Sequence, residues 1–166
     1  MGITFQKLAI STALLILGSI TSWAQAQTLN KCGHGPLMVG QKQVGVASYY
    51  AQNCAQRWQD QNIQMDFSYT QNIPEWAFKR AATHLLKRNV KDSQIVTIFN
   101  PITDLYRPVK TGDLYRLKYI HATQTLSLSL NQQILGQLQH PLAQQYFNIW
   151  LGPQPFNAKL KQQLLN

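Results

Sequence analysis

Leu114-Tyr115-Arg116-Leu117-Lys118-Tyr119, Thr125-Leu126-Ser127-Leu128-Ser129-Leu130 and Ile149-Trp150-Leu151-Gly152 together decide how this chain folds. In the second run leucine alternates with serine, which gives a strand one apolar and one polar face. The first run, extended to His121, is its pairing partner. Lys110-Thr111-Gly112-Asp113 is the turn leading in, and Asn131-Gln132-Gln133 turns the chain again. Ile134 to Gln139 gives a last short strand, with Gly136 placed for close approach to another backbone. His140-Pro141 begins a helix that runs into Phe147, Ile149, Trp150 and Leu151, and Gly152-Pro153 stops it. Asn157 caps a short final helix reaching Leu165. Being apolar, helical and closed by a Gly-Pro stop, Trp150 and its neighbours read as core.

Outward from this block, Ile95, Phe99, Ile102 and Leu105 fall at helical spacing after the capping residues Asp92-Ser93, and Pro101 should bend or break that helix. Before it, Asn72-Ile73-Pro74-Glu75 starts a helix running to about Asn89, with Pro74 tolerated in the first turn. Phe78, Ala81, Ala82, Leu85 and Leu86 form its apolar stripe, and Arg80, His84, Lys87, Arg88 and Lys91 its basic face. Such a face has two readings: contact with an anionic lipid surface, or a solvated face whose cations are favoured near the helix C-terminus. Ile63, Met65, Phe67 and Tyr69 alternate with polar residues, so Ile63 to Thr70 reads as a half-buried strand. Pro36 to Val39 and Val44 to Ala51 read as a hairpin turning at Gly40-Gln41-Lys42. Glycines 33, 35, 40 and 45 mark turns, bulges or close backbone approach. They do not make a phosphate-cradling loop, because no Lys-Ser/Thr and no helix pattern follows them.

At the amino terminus, Lys7, the apolar run Leu8 to Ile20 and Ala24-Gln25-Ala26 have the form of a cleavable signal peptide, residues 1–26, with cleavage expected after Ala26. The run is shorter than the ~20 residues of a spanning helix, and Cys32 lies too far beyond it to be a lipidated cysteine. Export to the periplasm is therefore expected, with residues 27–166 forming one domain. In an oxidising compartment Cys32 and Cys54, the only two cysteines, are expected to form a structural disulfide. Neither C-x-x-C nor a suitable histidine spacing supports a metal site. Lys and Arg outnumber Asp and Glu by 15 to 6. For an exported protein this favours anionic lipid or acidic polymers over nucleic acid.

Gly112-Asp113, Leu114 to Tyr119, Asn131 before Ile134-Leu135-Gly136, Phe147-Asn148-Ile149-Trp150-Leu151-Gly152, and Leu160-Lys161 with Leu164-Leu165 resemble the bacterial chalcone isomerase-like proteins in order and spacing. Gly33 to Tyr50 resembles that family's first hairpin more loosely. The resemblance is strong after residue 109 and weak between 55 and 108. It implies an α+β fold, an antiparallel β-sheet with helices packed on one face (an open-faced β-sandwich), with a hydrophobic cleft between them. The family's plant enzymes cyclise chalcones with an Arg shortly after the first glycines and a Thr in the second strand, and its fatty-acid-binding members keep the Arg. Here the first region is Lys31-Cys32-Gly33-His34-Gly35, the second falls near Val44, and no Arg precedes Arg57. Chalcone isomerase chemistry is not supported. Lys42, His34 and Tyr49 are the candidates nearest the implied ligand site.

Searches for catalytic sets find none. The histidines at 34, 84, 121 and 140 lack metal-binding spacing, G-x-S-x-G is absent, and the acids form no pair. No cofactor and no metal is expected. The preferred reading is a non-enzymatic exported protein holding a small hydrophobic ligand such as a fatty acid. The alternatives are an isomerase or lyase acting on an enone-type substrate with its own residue set, and a structural partner protein docking through the basic helix or a sheet edge. The enzyme reading requires polar side chains converging in the cleft beside a group of shifted pKa.

Overall fold

The computed structural model of the chain describes residues 28–90 and 94–166. The signal-peptide reading, Lys91 and the Asp92-Ser93 cap lie outside the described residues. Six strands, β1 (Asn30–Val39), β2 (Lys42–Ala51), β3 (Ile63–Tyr69), β4 (Leu114–Ile120), β5 (Thr125–Leu130) and β6 (Gln133–Gln139), form one antiparallel sheet in chain order. The alternation read from the sequence decides which face is buried. Paired residues run across the inner face as Tyr49, Met65, Leu117, Leu128 and Gly136. The outer face is polar. There Asp66 and Arg116 stand opposite each other on β3 and β4, and the guanidinium donates two hydrogen bonds of 2.8 and 2.7 Å to the carboxylate.

The helices cover the inner face: α1 (Glu75–Asn89), α2 (Gln94–Ile98), α3 (Asn100–Thr103), α4 (Asn148–Leu151) and α5 (Ala158–Leu165). The molecule is thus the expected α+β fold. Pro101 breaks the second helical stretch at Phe99 and sits in the first turn of α3, where its missing N–H costs nothing. Asn157 caps α5 as expected, its side-chain oxygen accepting the Leu160 N–H at 2.9 Å.

Three local expectations are corrected. The chain from His140 to Phe147 is not an α-helix. His140 Nδ1 accepts the Leu142 N–H at 3.0 Å, the following bonds span three residues, and a 3-10 turn over Ala143–Phe147 leads into the single turn of α4. Gly136 is approached by the side chain of Leu105, not by backbone. The first strand starts at Asn30 instead of Pro36, and Lys42 belongs to β2, leaving Gly40-Gln41 as the turn, with Gly40 at a φ of +60°. Its glycines conceal the strand from propensity while serving packing: a side chain at Gly33 or Gly35 would collide with α5 at Gln163 and Leu164.

Beyond β2, Cys32 and Cys54 are joined by a disulfide. The loop that carries Cys54 is held by buried Gln61, whose amide nitrogen donates to the carbonyls of Asn53, Gln56 and Arg57 and whose oxygen accepts from Asn53 N. The two cysteines are 22 positions apart. Replacing both with alanine should lower unfolding free energy by about 3 kcal/mol through the restored freedom of the unfolded loop, measured by urea denaturation. A loss under about 1 kcal/mol would mean that Gln61 alone orders this segment.

Candidate functional site

α1 turns small side chains toward the sheet. Ala77, Ala81 and Ala82 follow one another along the face whose larger members are Phe78 and Leu85. The sheet opposite carries Phe67, Leu117 and Leu128, all buried, at ordinary core size. An alanine face over this surface leaves unfilled volume, a cavity of about 220 Å³. Ile149 and Trp150 of α4, with Phe156 beyond it, also line it. Val39 at the end of β1, Ala77 and Ala81 form the mouth, where Val39 is 57% exposed.

The gap persists because α1 is held at both ends. Before it, Ile73 and Val109 exchange two backbone hydrogen bonds of 2.9 Å. At its end the Asn89 amide donates to Gln154 O at 2.9 Å and accepts from Gln154 N at 3.0 Å. Gly152 follows α4 because a side chain there would strike the Asn89 oxygen, so this glycine serves close approach and has ordinary extended geometry. Between these anchors Phe78 stacks on Tyr106 with centroids 5.3 Å apart and meets Tyr69 and Tyr115 edge-on. The aromatic cluster props the helix off the sheet.

The side chains in the wall that carry polar groups are three tyrosines, with their phenols, and Trp150, with its indole N–H. Tyr115 Oη donates to Arg107 O at 2.9 Å and accepts from Arg107 N at 2.7 Å. Tyr106 Oη accepts from Tyr146 Oη at 3.4 Å. The Tyr69 hydroxyl has no hydrogen-bond partner among the described residues. Every fully enclosed side-chain nitrogen or oxygen there is partnered, so this oxygen must border open volume. Burial pushes the pKa of Tyr69, Tyr106 and Tyr115 upward, with the neighbouring phenols adding to the effect at Tyr69 and Tyr106. All three are neutral near pH 7, and Tyr69 offers a ligand one O–H donor.

The residues proposed from sequence lie elsewhere. Lys42 and His34 are exposed on β2 and β1, and Tyr49 is buried in β2 with its pKa pushed up to about 12 by burial. None of them lines the cavity, and no Lys, Arg, His, Asp or Glu does. The seat of α5 at Gly33 and Gly35 accounts for this at β1: no inward side chain fits there. Trp150 is a correction of role. It is half-buried against Phe67, centroids 4.7 Å apart, and forms cavity wall as well as core. Ala81 is exposed at the mouth instead of buried in the stripe. Sequence reasoning missed Tyr69 and Tyr106 as site residues, and the consecutive alanines of α1 were the signal that could have located them. Among the described residues no three His, Cys, Asp or Glu side chains converge to hold a metal.

A family model described as chalcone isomerase-like matches residues 43–166. Among solved structures, a fatty-acid-binding protein of Arabidopsis thaliana aligns with a TM-score of 0.60 at 15% identity, covering 82% of this chain and 86% of that one. That likeness is one of fold. No curated protein matches in sequence.

The two phenols separate in a stability measurement. Tyr115→Phe removes both bonds to Arg107 and should cost about 1–3 kcal/mol. Tyr69→Phe removes a hydroxyl with nothing to bond and should stay within about 0.5 kcal/mol of the parent by urea denaturation.

Proposed function

Because the chain belongs to the chalcone isomerase-like family, we propose that it binds a small hydrophobic molecule, a fatty acid among the candidates, without catalysing its conversion. The observation that carries this reading is the wall of the cavity: aliphatic and aromatic side chains, three neutral phenols and no charged group. Pockets of this kind hold apolar ligands through area removed from water, with a few polar atoms fixing orientation. The fold shared with a fatty-acid-binding protein of Arabidopsis supports the same ligand class here.

Acid–base chemistry on an enone would need a group that gains or loses a proton near neutral pH. The tyrosines that line the cavity are shifted away from that range, and no histidine or carboxylate accompanies them. A neutral Tyr69 can donate to a ligand carbonyl, which is recognition and not proton abstraction. The compartment follows the same proposal. A leader over residues 1–26, together with the Cys32–Cys54 bond, fits export to the periplasm.

Native mass spectrometry of the purified protein, before and after delipidation, should show an acyl or similarly apolar ligand that rebinds. Ala82→Leu puts side-chain volume into the cavity from a position already facing it, and should weaken rebinding about ten-fold or more while the protein stays folded. Retention of ligand unchanged by this substitution would place the binding site elsewhere.

A further inference from the structure

Outside the mouth, an open groove runs along α1. It shares Val39, Ala77 and Ala81 with the cavity, so the two concavities adjoin at these residues. Its other borders are Trp76, Lys79, Arg80, Thr83, His84 and Lys87. No acid lines it, and Glu75, the one acid of α1, is occupied with Lys79 at 2.6 Å. Arg80 and Lys87 are exposed and have no ion-pair partner among the described residues. Trp76 is 64% exposed and Val39 57%, an apolar margin beside the cations.

We infer that the ligand is a single-chain amphiphile with an anionic head: its tail enters the cavity past Val39 and Ala81, and its head lies in the groove against Arg80 and Lys87. This rests on the cavity being the binding site. Three observations lead to it. The interior holds no cation, and an unpaired carboxylate buried there would be strongly disfavoured. The cavity volume of about 220 Å³ lies below the roughly 300–1,000 Å³ of pockets that swallow whole drug-sized ligands, so part of the molecule remains outside. The space immediately outside is positive and adjoins the interior at Val39, Ala77 and Ala81, and its exposed Trp76 and Val39 can cover the emerging methylenes. The basic face of α1 then has a function beyond solvation.

Decanoate and decanol share a tail and differ in head charge, which makes them the probes for calorimetric titration of the purified, delipidated protein. Decanoate should bind about three- to ten-fold more tightly than decanol at low ionic strength, with the difference shrinking as salt is added. The double substitution Arg80→Gln/Lys87→Gln should reduce decanoate to the affinity of decanol and leave decanol unchanged. Arg88→Gln, on the same helix but outside the groove, should affect neither probe. Equal affinity of the two probes for the parent protein would overturn the head placement alone, because decanol binding would still support the cavity. Equal weakening of decanoate by Arg88→Gln would replace the groove with a general field and also overturn it. Binding of neither probe would reject the cavity reading and this inference with it.

Discussion

The arrangement depends on a helix held off a sheet. α1 faces a fully packed inner surface with Ala77, Ala81 and Ala82, and collapse onto that surface would bury more apolar area. It is prevented by fixed ends, the Ile73–Val109 backbone pair and the Asn89–Gln154 amide bonds, and by Phe78 braced on Tyr106. The forfeited packing is the space available to a ligand.

The chemistry of the space follows from the same packing. Lys, Arg, His, Asp and Glu are kept out of the wall, and burial moves ionisation of the already neutral phenols Tyr69 and Tyr106 further above neutral pH. Tyr115 is committed as donor and acceptor to Arg107 in the loop after α3, and Tyr106 of that loop accepts from Tyr146. Among the described residues neither the Tyr69 nor the Tyr106 O–H is donated to a protein acceptor, so both keep a donor for a ligand. At Gly33 and Gly35 of β1, α5 occupies the ground directly above the backbone. Positive charge is displaced to the outside of α1, where it remains hydrated and inexpensive.

Most of the fold was legible because strand alternation is a strong signal. Ile63, Met65, Phe67, Tyr69, Leu126 and Leu128 all point inward as their spacing requires. Legibility failed where a residue serves a partner distant in sequence. Gly33 and Gly35 weaken the local strand signal, yet they lie within β1 because a helix more than a hundred residues later needs their missing side chains. The segment after His140 looks helical by pattern, but the ring nitrogen of His140 captures a backbone donor and tightens the turn. The site was the least legible part. A cavity is made by volume that side chains fail to fill, and alanines in an apolar stripe read as core until the residues opposite them are known. Trp150 was assigned to the core for the same reason, and its ring is also a wall.

The central claim is that the gap under α1 is a binding site and not a packing defect. A crystal structure of the protein grown with decanoate tests it most directly. The account predicts continuous ligand density with its methyl end among Leu117, Leu128 and Trp150, passing Ala81 at the mouth. Ligand bound only on the outer face of the sheet, with α1 settled onto Phe67 and Leu117 and no space between them, would contradict it.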